Sequence, residues 1–170
     1  MLLTACAILL AGCSNNSEYG AAEEYTPISD PSFNCYAYAL GEDEWRYVGG
    51  SQDAVSNFDV NAVGEMVVND VTQSGMGIRP LSAFDSPIEA DEYRIALRTG
   101  ESDYHFMRQN SDGTWSHKPS WLPTMLASGT NPSTISWDLP AFEIDANGRH
   151  QLVFIPNYYD SKTLYFAISK

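Results

Sequence analysis

Asp103-Tyr104-His105-Phe106-Met107-Arg108-Gln109 leads into Asn110-Ser111-Asp112-Gly113, and Thr114-Trp115-Ser116-His117-Lys118 leads out. The flanks read as two strands and the four residues between them as a reversal. Its closing glycine tolerates the positive φ that a tight turn needs. The stretch is therefore a β-hairpin. With Ser111 near its tip, His105 and His117 fall almost opposite each other. Opposed positions of an antiparallel pair share a sheet face, so the two imidazoles are expected within reach. The chain has three histidines, and two of them lie here.

Around this hairpin, Glu92 to Arg98 alternates as a strand, and Gln151 to Ile155 and Thr163 to Ser169 read as two more. Ser120 to Asn147, broken by Pro123, Pro132 and Pro140, reads as loop. Asn61 to Thr72 places Val63, Met66, Val67 and Val71 at helical spacing and ends at Gly75 and Gly77. Ile78 to Ala90 reads as a connector interrupted by Pro80 and Pro87. Two helices followed by an antiparallel sheet make the class α+β, with N-terminal helices packed on the sheet.

The first of those helices is Cys35-Tyr36-Ala37-Tyr38-Ala39-Leu40, with Asn34 as its N-cap and Gly41 as its stop. Cys35 stands at its first turn, where unpaired amides and the helix dipole favour thiolate over thiol. Such settings depress a cysteine pKa from about 8.5 to roughly 3.5–7.5. A thiolate with a nearby imidazole is a nucleophile–base pair, and a second imidazole can orient the first. Two plainer readings stand beside this one. Cys35 can be a small buried helix residue, and the histidines can be ordinary strand residues or metal ligands. Two histidines and one distant cysteine lack the close paired spacing of structural zinc sites, so no metal is expected.

Cysteine at a helix start, a strand histidine and a third polar residue on the next strand resemble the papain-like, NlpC-type cysteine peptidase superfamily. In the NlpC-type branch the third residue is often a histidine about a dozen positions after the first, and here the interval is 12 (117 − 105). Asn34-Cys35 is similar to that branch's Asp-Cys pair. More closely, Asn34 to Gly41, with Tyr104-His105-Phe106 and Gly113-Thr114-Trp115-Ser116-His117-Lys118-Pro119, resembles a group of uncharacterised bacterial proteins carrying the same two blocks. The resemblance spans Pro31 to Pro119. It implies a papain-like fold, catalytic Cys35, His105 and His117, and no cofactor. Tyr36-Ala37 replaces the Ser-Gly common after the branch's cysteine, so the groove beside the thiol is expected to be bulkier. No upstream glutamine offers an oxyanion donor. The Cys35 amide is the first candidate and Asn34 a second, with Tyr36 and Trp115 as substrate contacts. Tyr38, Trp121 and Trp137 are further aromatics that can line a cleft or pack. His150 sits in a turn signature, Asn147-Gly148-Arg149-His150, and reads as a surface residue.

At the other end, Met1 to Cys13 is apolar and closes on Leu10-Ala11-Gly12-Cys13. It is too short to span a bilayer, which takes about 20 apolar residues, and reads as an export signal over residues 1–12. Leu-Ala-Gly-Cys resembles the bacterial lipobox, with Cys13 as the lipidated mature N-terminus. No Lys or Arg precedes the apolar run, so the start is expected further upstream. Residues 13–25 read as a disordered polar tether, and residues 26–170 as one domain of ordinary size. Cys6 lies in the signal and Cys13 at the lipid site, which leaves Cys35 as the one cysteine of the domain.

The net charge of −13 excludes nucleic acid as a partner and basic-patch binding to anionic lipid. Nine acids lie between Glu18 and Asp59 against Arg46 alone, either as a solvated surface or as a bias toward amine-bearing substrates. The expectation is an exported monomer, lipid-anchored to the bacterial envelope, at the outer membrane if the host is Gram-negative. It would hydrolyse a peptide or amide bond, with cell-wall peptide as the natural substrate. The alternatives are a catalytically silent lipoprotein that binds a peptide or protein partner, and an acyl or amide transferase using the same thioester.

Overall fold

A computed structural model describes residues 18–170. The expected signal and Cys13 lie outside the described residues. Within them, α1 (Cys35–Leu40) and α2 (Val60–Gln73) precede β1 (Gly77–Leu81), β2 (Glu92–Thr99), β3 (Tyr104–Gln109), β4 (Trp115–His117), β5 (Met125–Leu126), β6 (Leu139–Ile144), β7 (His150–Ile155) and β8 (Leu164–Ser169). Six strands form one sheet in the order β1-β8-β2-β3-β4-β5, every neighbouring pair antiparallel, and β6 and β7 form a separate ribbon. The class is α+β with few helices.

The central strands are buried on both faces, because each face has its own cover. Tyr93, Ile95, Leu97, Phe106, Phe166 and Ile168 pack with Val63, Val67 and Val71 of α2 and with Tyr36, Ala39 and Leu40 of α1. The alternate residues Ala96, Met107, Trp115 and Tyr165 pack with Trp137 and Tyr159, which come from loops. Period-two alternation thus divides the strands between a helical layer and a loop layer.

Both helices start as their sequences dictate. The Asn34 Oδ1 accepts the Ala37 amide at 3.0 Å, and Gly41 ends α1 at φ 68°, ψ 38°. Asp59 caps α2 through the amides of Asn61 and Ala62. Tyr36 and Tyr38 point opposite ways from α1, and both are buried. Tyr36 faces the sheet, while Tyr38 packs with Phe33 and donates to or accepts from Ser116 Oγ at 2.7 Å.

Four expectations change here. Residues 18–25, read as part of a loose tether, run along the domain. Ala21 donates to the Glu92 carbonyl at 2.7 Å, and the Glu23 carbonyl accepts from Ser111 at 2.9 Å. Backbone pairing holds this segment despite its low apolar content. The connector at Ile78 contains β1. Pro80 fits there because β1 is an edge strand, where a missing N–H costs no ladder bond. The loop at Ser120–Asn147 contains β5 and β6, and Pro140 sits in a two-stranded ribbon that is all edge. Finally, the hairpin register pairs Met107 with His117 and Gln109 with Trp115. His105 and His117 are therefore diagonal neighbours rather than opposite. The slip is two residues, which keeps both on one face.

Candidate active site

Two features of the hairpin build the site. The first is the end of β4. Beyond His117 the chain turns away through Pro119, which has no N–H, so β3 loses its partner. The Tyr104 carbonyl and the Phe106 amide on that edge are left for another group. Cys35 takes the place: its thiol donates to the Tyr104 carbonyl at 4.0 Å, and the nearby backbone amides of Phe106, Tyr36 and Cys35 favour its anion. The second feature is the face of β3. Tyr104 and Phe106 point toward the helices, and His105 points the other way, stacked on Tyr159 at 5.1 Å and edge-on to Trp137 at 6.0 Å.

His105 Nε2 and His117 Nδ1 lie 2.7 Å apart, one hydrogen bond. This is the one hydrogen bond of the His105 ring among the described residues, and His105 lines a cleft. That cleft, about 770 Å³, is lined by Cys35 and His105 together with Asn34, Asp53, Asp103, Tyr104 and Tyr159, and by Trp45, Trp121 and Pro140 at its mouth. The thiol and the imidazole thus open into the same space, although Cys35 is only 8% exposed and His105 3%.

Burial decides the charge states. It pushes the Cys35 thiol up to about 12, and the Asp103 carboxylate adds to the push, against the backbone amides that favour the anion. The thiolate expected from the helix start is therefore not the resting state: desolvation outweighs the amides of a six-residue helix. Burial and the neighbouring His117 hold His105 well below its usual range, and burial lowers His117 to about 4. At neutral pH the thiol and both rings are uncharged. A neutral His105 with its proton on Nε2 donates to His117 Nδ1 and leaves Nδ1 as a proton acceptor facing the cleft.

The other candidates fall in different places. Asn34 lines the cleft, but its carboxamide is engaged. It caps α1 and donates to the Arg46 carbonyl at 2.7 Å. The Cys35 amide remains the available oxyanion donor. Tyr36 and Trp115 are completely buried and absent from the cleft lining, which corrects their assignment as substrate contacts. Each points into one of the two core layers because its strand or helix position has no other face. Trp137 is buried beside His105. Trp121 is 45% exposed and stacks on Phe142 at 5.1 Å, joining the loop after β4 to the β6–β7 ribbon at the mouth. His150 is exposed on that ribbon, outside the site.

Three residues of the site carry no obvious sequence signal. Asp103 accepts the Tyr104 amide and the Tyr159 hydroxyl, each at 2.8 Å, and burial raises its carboxyl above the usual range. Tyr159 is 56 residues from Asp103, so only the fold joins them. Lys118 is completely buried. Its ammonium donates to the carbonyls of Ser120 at 2.8 Å and Leu122 at 2.7 Å and lies 5.1 Å from the Phe33 ring. It thereby shapes the loop that carries Pro119, Ser120 and Trp121 into the cleft wall. The Trp-Ser-His-Lys-Pro spelling placed it on a strand end without indicating this clamp. Among the described residues no group of three or more His, Cys, Asp or Glu side chains is arranged to hold a metal, and no helix is long and apolar enough to cross a membrane. No family model, curated protein or solved structure matches this chain.

Proposed function

We propose that this protein is a cysteine hydrolase of a peptide or amide bond, built on a papain-like, NlpC-type arrangement. One observation carries the reading: Cys35 and His105, whose Nε2 is held by His117, line one cleft. In this reading the sulfur attacks the substrate carbonyl as its proton passes to His105 Nδ1, and the new oxyanion is met by the Cys35 amide. His117 accepts the Nε2 hydrogen bond and steadies the imidazolium. Collapse of the intermediate breaks the C–N bond, and the amine leaves with the proton from His105. The resulting thioester is opened by water, which His105 deprotonates in turn. A neutral imidazole is the form that can take the thiol proton, so the lowered His105 pKa is compatible with this sequence.

Export and lipid attachment at Cys13 belong to the same proposal and make cell-wall peptide the natural substrate. The test is incubation with peptides released from bacterial cell wall, counting new amino termini. Wild type should generate them and Cys35→Ala should not. Equal product from both would remove Cys35 from the chemistry.

A second reading has its own support. A thiol pushed to about 12 beside two neutral rings lacks a preformed ion pair, which suits a silent protein that binds a peptide in the same cleft. Binding of cell-wall peptides that is unchanged in Cys35→Ala, with no new amino termini, would favour it.

A further inference from the structure

We propose that the cleft selects a substrate carrying an ammonium group near the bond attacked, and that Asp103 is the specificity residue that receives it. The inference rests on the reading of Cys35 as the nucleophile. Four observations meet here. None of the chain's nine Lys and Arg residues lines the cleft, whereas Asp53 and Asp103 do. Asp103 is fixed in place by one hydrogen bond to each oxygen, from the Tyr104 amide and the Tyr159 hydroxyl, and each carboxylate oxygen has a further lone pair to offer. Trp45, 43% exposed, and Trp121 stand at the mouth and offer ring faces to a cation. His105, 3% exposed, lines the same cleft, and the one hydrogen bond of its ring among the described residues is the Nε2 contact with His117, so a bound carbonyl near Asp103 also lies near the ring.

The same carboxylate acts on the thiol. With Asp103 unpaired, its field helps to keep Cys35 protonated. An ammonium seated on Asp103 offsets that field, so the correct substrate eases the proton transfer to His105 that begins the reaction. A ligand bearing carboxylate or phosphate near the scissile bond meets two carboxylates and no Lys or Arg in the cleft lining. The cleft therefore combines selection with activation.

Two methanethiosulfonates of similar size provide the test, one carrying a trimethylammonium-ethyl group and the other a sulfonatoethyl group. Each transfers its S-alkyl group to a thiol and releases methanesulfinate. Their rates on Cys35 of the folded protein, followed by intact mass, are divided by their rates on free cysteine. We expect the cationic reagent to be favoured by about tenfold or more at low salt. The preference should shrink severalfold in Asp103→Asn, and in wild type at about 0.5 M salt, where charges are screened within a few ångströms. A ratio near one, or a preference for the anionic reagent, would overturn the inference and leave Cys35 as a reactive thiol. A preference untouched by Asp103→Asn would remove Asp103 from the role. Failure of both reagents to label the folded protein would instead defeat the nucleophile reading, and the inference with it. If Asp103→Asn does not fold, Asp53→Asn and the salt dependence of wild type decide. A preference unaffected by either is steric and overturns the proposal.

Discussion

At the scale of single residues, the position of Cys35 pulls in two directions. Three backbone amides favour its anion, but the sulfur is buried and the Asp103 carboxylate opposes them. The balance predicts an iodoacetamide labelling profile in which the folded, substrate-free thiol titrates above the free value of about 8.5. Asp103→Asn should move that profile down. A wild-type titration below 8.5 would mean that the amides dominate. The histidine pair makes a separate prediction. Removing the base, His105→Ala, should cost about 10²–10⁴ in turnover. His117→Ala should cost less, about tenfold to a hundredfold, because His105 survives but loses its tautomer and orientation. The double variant should be little worse than His105→Ala alone, since residues acting as a unit are not additive. Additive losses across the four proteins would show that the 2.7 Å contact is incidental.

Among the elements, the hairpin does most to assemble the site. Its turn is centred one residue later than Ser111, which slides His117 past His105 by two positions. A one-residue slide would have put one imidazole in the helical layer and destroyed the pair. The early end of β4 matters as much, since it opens the β3 edge to Cys35. Lys118 enforces that ending by holding the Ser120 and Leu122 carbonyls. Lys118→Met keeps the stem of the side chain and removes both donors. It should lower stability by roughly 1–3 kcal/mol, the usual effect of leaving polar groups unpaired, with a matching fall in the urea midpoint. It should also raise KM, because Trp121 and Pro119 would no longer be held at the cleft wall. A Lys118→Met protein of unchanged midpoint and KM would show that the loop stands without the clamp.

For the whole molecule, the two covers of the sheet set the response to acid. His105 and His117 are neutral in the fold, with His117 lowered to about 4, but both titrate near 6.5 in the unfolded chain. Below that pH the unfolded state binds more protons, so stability should fall as pH drops from about 6.5 toward 4, by roughly 2 kcal/mol per ring between pH 7 and pH 5. Asp103, whose carboxyl is raised, works in the opposite sense lower in that range and offsets part of the loss. Urea midpoints at pH 7 and pH 5 measure the difference. Equal midpoints would mean that the rings are not buried as described. Much of this architecture was legible in the chain. Local chemistry is enough to start a helix at Asn34, to stop it at Gly41, to close a turn at Gly113 and to place β2, β3 and β8, because caps, turns and periodicity act over a few residues. The α+β class follows from their order. The short edge strands β1 and β6 were hidden by Pro80 and Pro140, since only a strand's place in a sheet tells whether a missing N–H matters. The candidate site was legible as three residues, Cys35, His105 and His117, but not as an environment. Which face takes Tyr36 and Trp115, the joining of Asp103 to Tyr159, and the desolvation that overrides the helix start all depend on chain segments far apart in sequence. Those segments meet only when the two layers close on the sheet, and electrostatics in a buried site follow what surrounds a group rather than its neighbours along the chain.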